Sequence, residues 1–300
     1  MSFAIEGVFC AAATPLKADG SPDLALFGAH TRALIDEGCH GIAMLGSTGE
    51  ANSFGTRDRM ALLEAAIAGG TRPDQLLPGT SSCAVTEAVE MTRHAVRAGV
   101  RAVVMLPPFY YKAFSDESLF RFYASIIEKV ADNRLRVILY HIPMLTGVPI
   151  SHGLIARLIA AFPDTVVGIK DSDGKIENMH AISALFPGFS VLAGADPLLL
   201  PVLQGGGAGC ITATSNLVAG DLRLVFDHWR DPARAAEVKA AQDSIVAWRN
   251  LTNRFVQLPT VKTMLARRRG DMGWLNIHPP FSPLSPDEAA ELVGAALEAF

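Results

Sequence analysis

Cysteine is sparse in this 300-residue chain: Cys10, Cys39, Cys83 and Cys210 are its four cysteines, with no close pair and no metal-ligand spacing. That scatter excludes a disulfide framework and a cysteine-based metal site, and the thiols read as reduced core residues. A basic run is also missing. The 26 lysines and arginines stand against 30 aspartates and glutamates, for a net charge of −4, which argues against nucleic acid or an anionic membrane as partner. No stretch reaches the roughly 18 uncharged apolar residues of a membrane helix. The N-terminus lacks a basic region followed by an apolar run, so no signal peptide is expected. A cytoplasmic chain is the expectation.

Half the residues are apolar and 19% are charged, close to a globular average. Short apolar runs recur at an even pace, each closing on small or polar residues. They are Gly7–Thr14, Gly41–Gly46, Leu76–Ser82, Ala102–Pro108, Val137–Pro143, Val166–Ser172, Ser190–Asp196 and Gly209–Thr214. Helical stripes lie between them, such as Leu24, Phe27, Leu34 and Ile35, or Leu119, Phe122, Tyr123, Ile126 and Ile127. Eight buried-type strands alternating with helices predict parallel pairing and a (β/α)8 TIM barrel. A doubly wound open sheet is the alternative, but no glycine fingerprint follows the first strand. Beyond about residue 220 only helical patterns remain. We therefore expect a barrel over 1–225 and a C-terminal helical appendage over 226–300, its last helix starting near Asp287 with Ser285 as cap.

In such a barrel the chemistry sits on loops after the strands. That rule selects Thr14, Ser47–Glu50, Ser81–Ser82, Tyr110–Tyr111, Tyr140, Lys170, Asp196 and Thr212–Thr214. It demotes the glycine-rich Gln204–Gly209, which precedes the eighth strand and so lies at the opposite face from any phosphate-binding chemistry. Lys170 is the most telling of the group. It ends the run VVGIKDS, and a lysine withdrawn from water becomes a neutral amine able to attack a carbonyl carbon. The ordinary alternative is a strand-end lysine kept charged by Asp171 or Asp173. Near it in the expected fold, Gly46–Glu50 (GSTGE) supplies two hydroxyls on a tight turn, and Tyr140 supplies a phenol able to relay protons.

In this order and on these strands, GSTGE, Tyr140-His141-Ile142-Pro143 and GIKDS resemble the dihydrodipicolinate synthase / N-acetylneuraminate lyase family of class I pyruvate aldolases. Leu258–Gly270 (LPTVKTMLARRRG) is similar to a proline- and lysine-containing helix start near that family's C-terminus. The resemblance spans essentially the whole chain. It implies that Lys170 forms an imine with pyruvate or a 2-keto acid, with no cofactor beyond that covalent imine and no metal. It implies that Tyr140 and Thr48 move protons, and that Tyr111 completes the relay of a neighbouring subunit in a homo-oligomer, a dimer of dimers. Ser47, Thr48 and Gly49 are implied to hold the pyruvate carboxylate, and Ile211 to face it through its carbonyl. Leu145, Gly194 and Asp196 are implied to line the rest of the substrate site.

The chain also departs from the family pattern. Leu145 stands where the synthase branch carries an arginine for the carboxylate of aspartate semialdehyde. Asp196 is followed by Pro197, where sialic-acid lyases have a glutamate for sugar hydroxyls, and Ala213 replaces a hydroxyl residue. The expected activity is therefore a lyase acting on a shorter or less polar 2-keto-3-deoxy acid, by aldol cleavage, condensation or dehydration, with pyruvate and an aldehyde as partners. Dihydrodipicolinate synthase is the alternative enzyme. A keto-acid-binding protein without catalysis is the remote one.

Overall fold

The computed structural model describes residues 4–299; the outer ends of the two expected domains, residues 1–3 and 300, lie outside the described residues. Among them, seven parallel strands form one sheet: β1 (Gly7–Cys10), β2 (Gly41–Ile42), β3 (Val103–Met105), β4 (Val137–His141), β5 (Val166–Asp171), β6 (Ser190–Ala193) and β7 (Gly209–Thr212). Their order is β2-β1-β7-β6-β5-β4-β3. The segment expected as a further strand, Leu76–Ser82, closes the sheet by single bridges, Ile42 to Leu76 on one side and Gly79 to Val104 on the other. Pro78 weakens the pairing on the β3 side. Its carbonyl accepts from Val104 N at 3.0 Å, but it has no N–H to return. The result is a barrel-like α/β fold, and the open doubly wound sheet is excluded by that closure.

Period-2 alternation sorts the strand residues into two cores. Phe9, Leu77, Val104, Ile138, Leu192 and Ile211 belong to one buried cluster inside the curl of the sheet. Val8, Val103, Val137, Leu139, Ile169 and Val191 belong to the other, between sheet and helices. The helices start where the sequence supplies caps. Asp23 accepts from Leu26 N to open Leu24–Asp36, and Ser115 accepts from Ser118 N to open Asp116–Val130, whose Leu119, Tyr123, Ile126 and Ile127 are buried. Such caps stabilise a helix by about 1 kcal/mol each.

After β7 the chain is helical: Ser215–His228, Ala235–Thr252, Gln257–Arg269 and Pro286–Ala299. Helix Ser215–His228 packs on β1 and on Ala235–Thr252, and it runs across the boundary expected at 225/226. The last helix begins at Pro286, and Ser285 caps it, accepting from Glu288 N at 3.2 Å while Glu288 Oε2 accepts from Ser285 N at 2.8 Å. Trp274, fully buried, stacks edge-on against His30 at 4.6 Å, so the C-terminal segment is built into the core beside the first helix. Among the described residues no helix is long and apolar enough to cross a membrane.

Candidate active site

Tyr140 on β4 and Lys170 on β5 occupy paired register positions, and Lys170 is paired with Leu192 of β6 on its other side. Both functional side chains are buried, Lys170 to 6% exposure and Tyr140 to 5%. The Lys170 ammonium lies 4.1 Å from the centre of the Tyr140 ring. The neighbouring acids turn elsewhere. Asp171 accepts from Asp173 N at 2.9 Å and from Asn178 Nδ2 at 2.7 Å, while Asp173 pairs with Lys175 at 2.6 Å. Among the described residues, then, no carboxylate lies within ion-pair distance of Lys170, and the reading of a lysine kept charged by Asp171 or Asp173 loses its support.

Burial pushes the Tyr140 phenol up, but the Lys170 charge, together with interactions with the side chains of Lys170, Ser47 and Ser172, outweighs it and leaves the phenol below its ordinary value of 10. A phenol placed so gives up and retakes a proton more readily near neutral pH. Sequence reading passed over Ser172, which follows β5 two residues beyond Lys170 and continues the lysine's side of the alternation.

The Gly46–Glu50 turn closes through Gly49 N to Gly46 O at 3.1 Å and Glu50 N to Ser47 O at 3.2 Å. Thr14 Oγ1 donates to Gly49 O at 2.9 Å and ties the turn to the segment that follows β1. A Cβ on Gly49 would lie 3.0 Å from Ala12 O and Leu45 N, so the tight approach needs glycine. Leu45 at φ 59° and Glu50 at φ 54° are both left-handed, an arrangement that costs about 1–3 kcal/mol per non-glycine residue and that the surroundings must hold.

Ser47, Tyr140, Lys170 and Ile211 share one pocket, whose walls are otherwise mainly apolar and carry no aspartate or glutamate. The slot encloses about 460 Å³ counted to its open mouth. Arg59, buried, also reaches its wall and donates from both terminal nitrogens, to Ser81 O and Gly79 O at 2.8 Å each. Burial holds its guanidinium down to about 10, still charged at neutral pH. Sequence reading missed Arg59, because nothing separates it from Arg57 and Asp58 in the same helical turn. The Arg59 charge and the lack of a carboxylate make the slot favourable to an anion. Among the described residues no group of three or more His, Cys, Asp or Glu is placed to hold a metal ion.

Other expected residues stand elsewhere. Thr48 is half-buried and Gly49 buried, both in the turn but outside the pocket wall. Gly194 lies at the end of β6 against Ser172, where a Cβ would be 1.9 Å from its Oγ. Leu145, on the short helix Pro143–Thr146, is 65% exposed. Tyr111 is 70% exposed and packs edge-on against Tyr110, with ring centres 5.1 Å apart, over a separate surface groove. Asp196 also stands outside the pocket wall. It is fully buried and 3.5 Å from Arg249 of the helix Ala235–Thr252, because the chain turns into a short 3-10 helix at Asp196–Leu198 and carries the carboxylate away from the slot.

The model of the dihydrodipicolinate synthetase family matches residues 4–299. The chain belongs to this family. It is 33% identical over 291 residues to an uncharacterized DapA-like lyase of Chloroflexus aurantiacus, covering 97% of this chain and 95% of the relative. It is 34% identical over 242 residues, 80% of each, to the 4-hydroxy-tetrahydrodipicolinate synthase of Rhizobium meliloti. The crystal structure of the Escherichia coli prophage protein YagE, in complex with pyruvate, superposes with a TM-score of 0.90 at 26% identity over 98% of each chain. At the level of the family, then, this chain is an enzyme of the lyase and synthase type.

Proposed function

We propose that the chain is a Schiff-base-forming lyase that cleaves or forms a 2-keto-3-deoxy acid, with pyruvate as the keto-acid product or substrate. One observation carries this: Lys170 is buried in a slot without acidic residues, against the phenol of Tyr140 and out of reach of any carboxylate among the described residues. Such an amine is a nucleophile for a ketone. The Lys170 amine adds to the keto carbon, and the resulting carbinolamine loses water to give an iminium ion. The iminium withdraws electron pairs. In the cleavage direction the bond between C3 and C4 breaks, the C4 hydroxyl gives up its proton, C4 leaves as an aldehyde carbonyl, and the bond's electron pair becomes an enamine. Protonation of the enamine and addition of water then release pyruvate and free the amine. Tyr140 suits the proton transfers, since its lowered phenol lies beside the amine. Ser47, with the Arg59 charge on the same pocket wall, suits the carboxylate.

The substrate class follows from what the slot lacks. Leu145 offers no partner to a second carboxylate, and Asp196 is turned away toward Arg249, so hydroxyls of a long sugar acid lose a partner they need once desolvated. A compact 2-keto acid with a short or apolar distal end fits best. The synthase reading draws on the Rhizobium meliloti relative, and Leu145 argues against it. Two exposed tyrosines on the loop after β3 support a homo-oligomer that covers them, in which Tyr111 serves the relay of the partner.

The deciding experiment is to treat the protein with pyruvate and borohydride and to map the reduced adduct by peptide mass spectrometry. An adduct on Lys170 is expected. A label on another lysine, or no label, overturns the assignment, and the second result favours a keto-acid-binding protein without catalysis.

A further inference from the structure

The motif Leu258–Gly270 has no place in the mechanism above, yet its lysine is among the most deeply buried groups in the molecule. Lys262 is 1% exposed and sits in the helix Gln257–Arg269, outside the pocket wall. Its ammonium donates to Glu50 Oε1 and, at 2.8 Å, to the carbonyl of Asn276. The other oxygen of Glu50 accepts from the backbone N–H of His278 at 2.8 Å, with His278 Nδ1 3.6 Å away. Asn276 in turn donates through Nδ2 to Leu16 O at 2.9 Å. The Glu50 carboxylate is fully enclosed, and Glu50 is the residue whose N–H closes the turn on Ser47 O.

We propose that Lys262 is a positioning residue: through Glu50 it fixes the Gly46–Glu50 turn so that Ser47 meets the carboxylate of a 2-keto acid bound at Lys170. The inference rests on the Schiff-base reading of the pocket. Two features make the turn dependent on outside support. Glu50 and Leu45 hold left-handed φ angles that neither residue type favours, and Gly49 is tied to Thr14, in the segment after β1, by one side-chain hydrogen bond. The remaining grip comes from Glu50, gathered by Lys262 and the 276–278 segment. The C-terminal helices are thereby part of the site although Lys262 does not reach its wall. A buried ion pair alone is weak evidence for stability, since removing both charges is often neutral while removing one is costly. That asymmetry separates positioning from mere support of the fold.

The test compares wild type with Lys262→Met, Glu50→Gln and the double variant. The readouts are the thermal midpoint, the pyruvate concentration that half-saturates borohydride trapping on Lys170, and the trapping rate at saturation. The single variants are expected to melt lower, each leaving an unmatched buried group. The double variant is expected to regain most of the thermal midpoint while its half-saturating pyruvate concentration stays raised about tenfold or more, the effect of losing one well-placed hydrogen bond to a charge. Its trapping rate at saturation should stay close to wild type, since the affected interaction holds the ground state and the transition state alike. A double variant with wild-type half-saturation overturns the inference and leaves the function standing. A wild-type protein that forms no adduct overturns the Schiff-base reading and this inference with it.

Discussion

Lys170 and Tyr140 are cross-strand partners in β5 and β4, with the lysine nitrogen 4.1 Å from the centre of the tyrosine ring. Backbone register therefore sets the distance between amine and phenol, and loop conformation has little part in it. Immediately behind them, His141 and Asp171 form the next register pair and point to the helix side, where His141 Nδ1 accepts from Ile150 N at 3.1 Å and Asp171 holds Asn178. The inward pair is left to chemistry, and the outward pair ties each strand to the segment that follows it.

Tyr140→Phe is expected to keep the ring against the Lys170 ammonium and lose the hydroxyl. Turnover of a 2-keto acid should fall by about 10²–10⁴, the range for a removed general acid–base group, with the melting temperature little changed. Trapping on Lys170 should still reach completion, more slowly. Steady-state kinetics beside a thermal melt check this, and near-wild-type turnover would remove Tyr140 from the relay.

His30 gives a pH prediction unrelated to catalysis. It is fully buried, and burial holds it down to about 3. Asn216 donates through Nδ2 to Ala11 O and Ala213 O, which leaves Oδ1 to accept from His30 Nε2 at 3.1 Å. The native state thus holds His30 neutral while an unfolded chain protonates it near its ordinary value of about 6.5. Between those values the unfolded state binds the extra proton, so stability rises with pH there and is lost as pH falls from about 6.5 toward 3, by up to about 1.4 kcal/mol per unit. His30→Gln is expected to be less stable at about pH 7 but to lose less on acidification to about pH 5. Urea midpoints at the two pH values decide it; parallel losses in both proteins would refute the role of His30.

The strand pattern made Lys170 and Tyr140 legible because each ends its own apolar run, and a strand residue two positions from a buried one shares its face. The same rule selected Asp196. It finds the end of a strand but not the direction in which the chain leaves it, and here a 3-10 turn sends the carboxylate to Arg249. Pro78 was in plain view, but that its missing N–H is lost to the pairing with β3 depends on which side the residue faces. Arg59 looks like any charge on an exposed helix until Gly79 and Ser81 offer their carbonyls. Glu50 and Lys262 are 212 residues apart, and no local pattern links them.

Leu145 predicts weak condensation of pyruvate with aspartate semialdehyde. A second carboxylate is usually gripped by a bidentate arginine, which supplies both energy and orientation, and the exposed Leu145 offers neither. The specificity constant with that aldehyde should fall well below about 10⁴ M⁻¹s⁻¹, the lower end of ordinary enzymes. A value at or above it restores the synthase reading.

Tyr111 carries the last prediction. In the single chain it stands 70% exposed beside Tyr110 at 74%, away from the slot that holds Lys170. Two adjoining aromatic rings left in water more often mark an interface than a solvent loop. Lys112 next to them donates to Phe109 O and to Thr146 O, which ties the loop to the segment following Tyr140. If a second copy covers this loop and brings Tyr111 to its own Tyr140, mixing two inactive proteins restores activity. Lys170→Ala lacks the amine and Tyr111→Phe lacks the relay. A mixed dimer contains one site whose lysine comes from the Tyr111→Phe subunit and whose tyrosine comes from the Lys170→Ala subunit, so that site is whole. Random exchange of equal amounts should make about half the dimers mixed, each with one of two sites intact, and return about a quarter of wild-type activity. With the relay in cis every site lacks one residue and the mixture stays as inactive as its parts. That outcome, once exchange has been demonstrated by mass or light scattering, rules out the shared site.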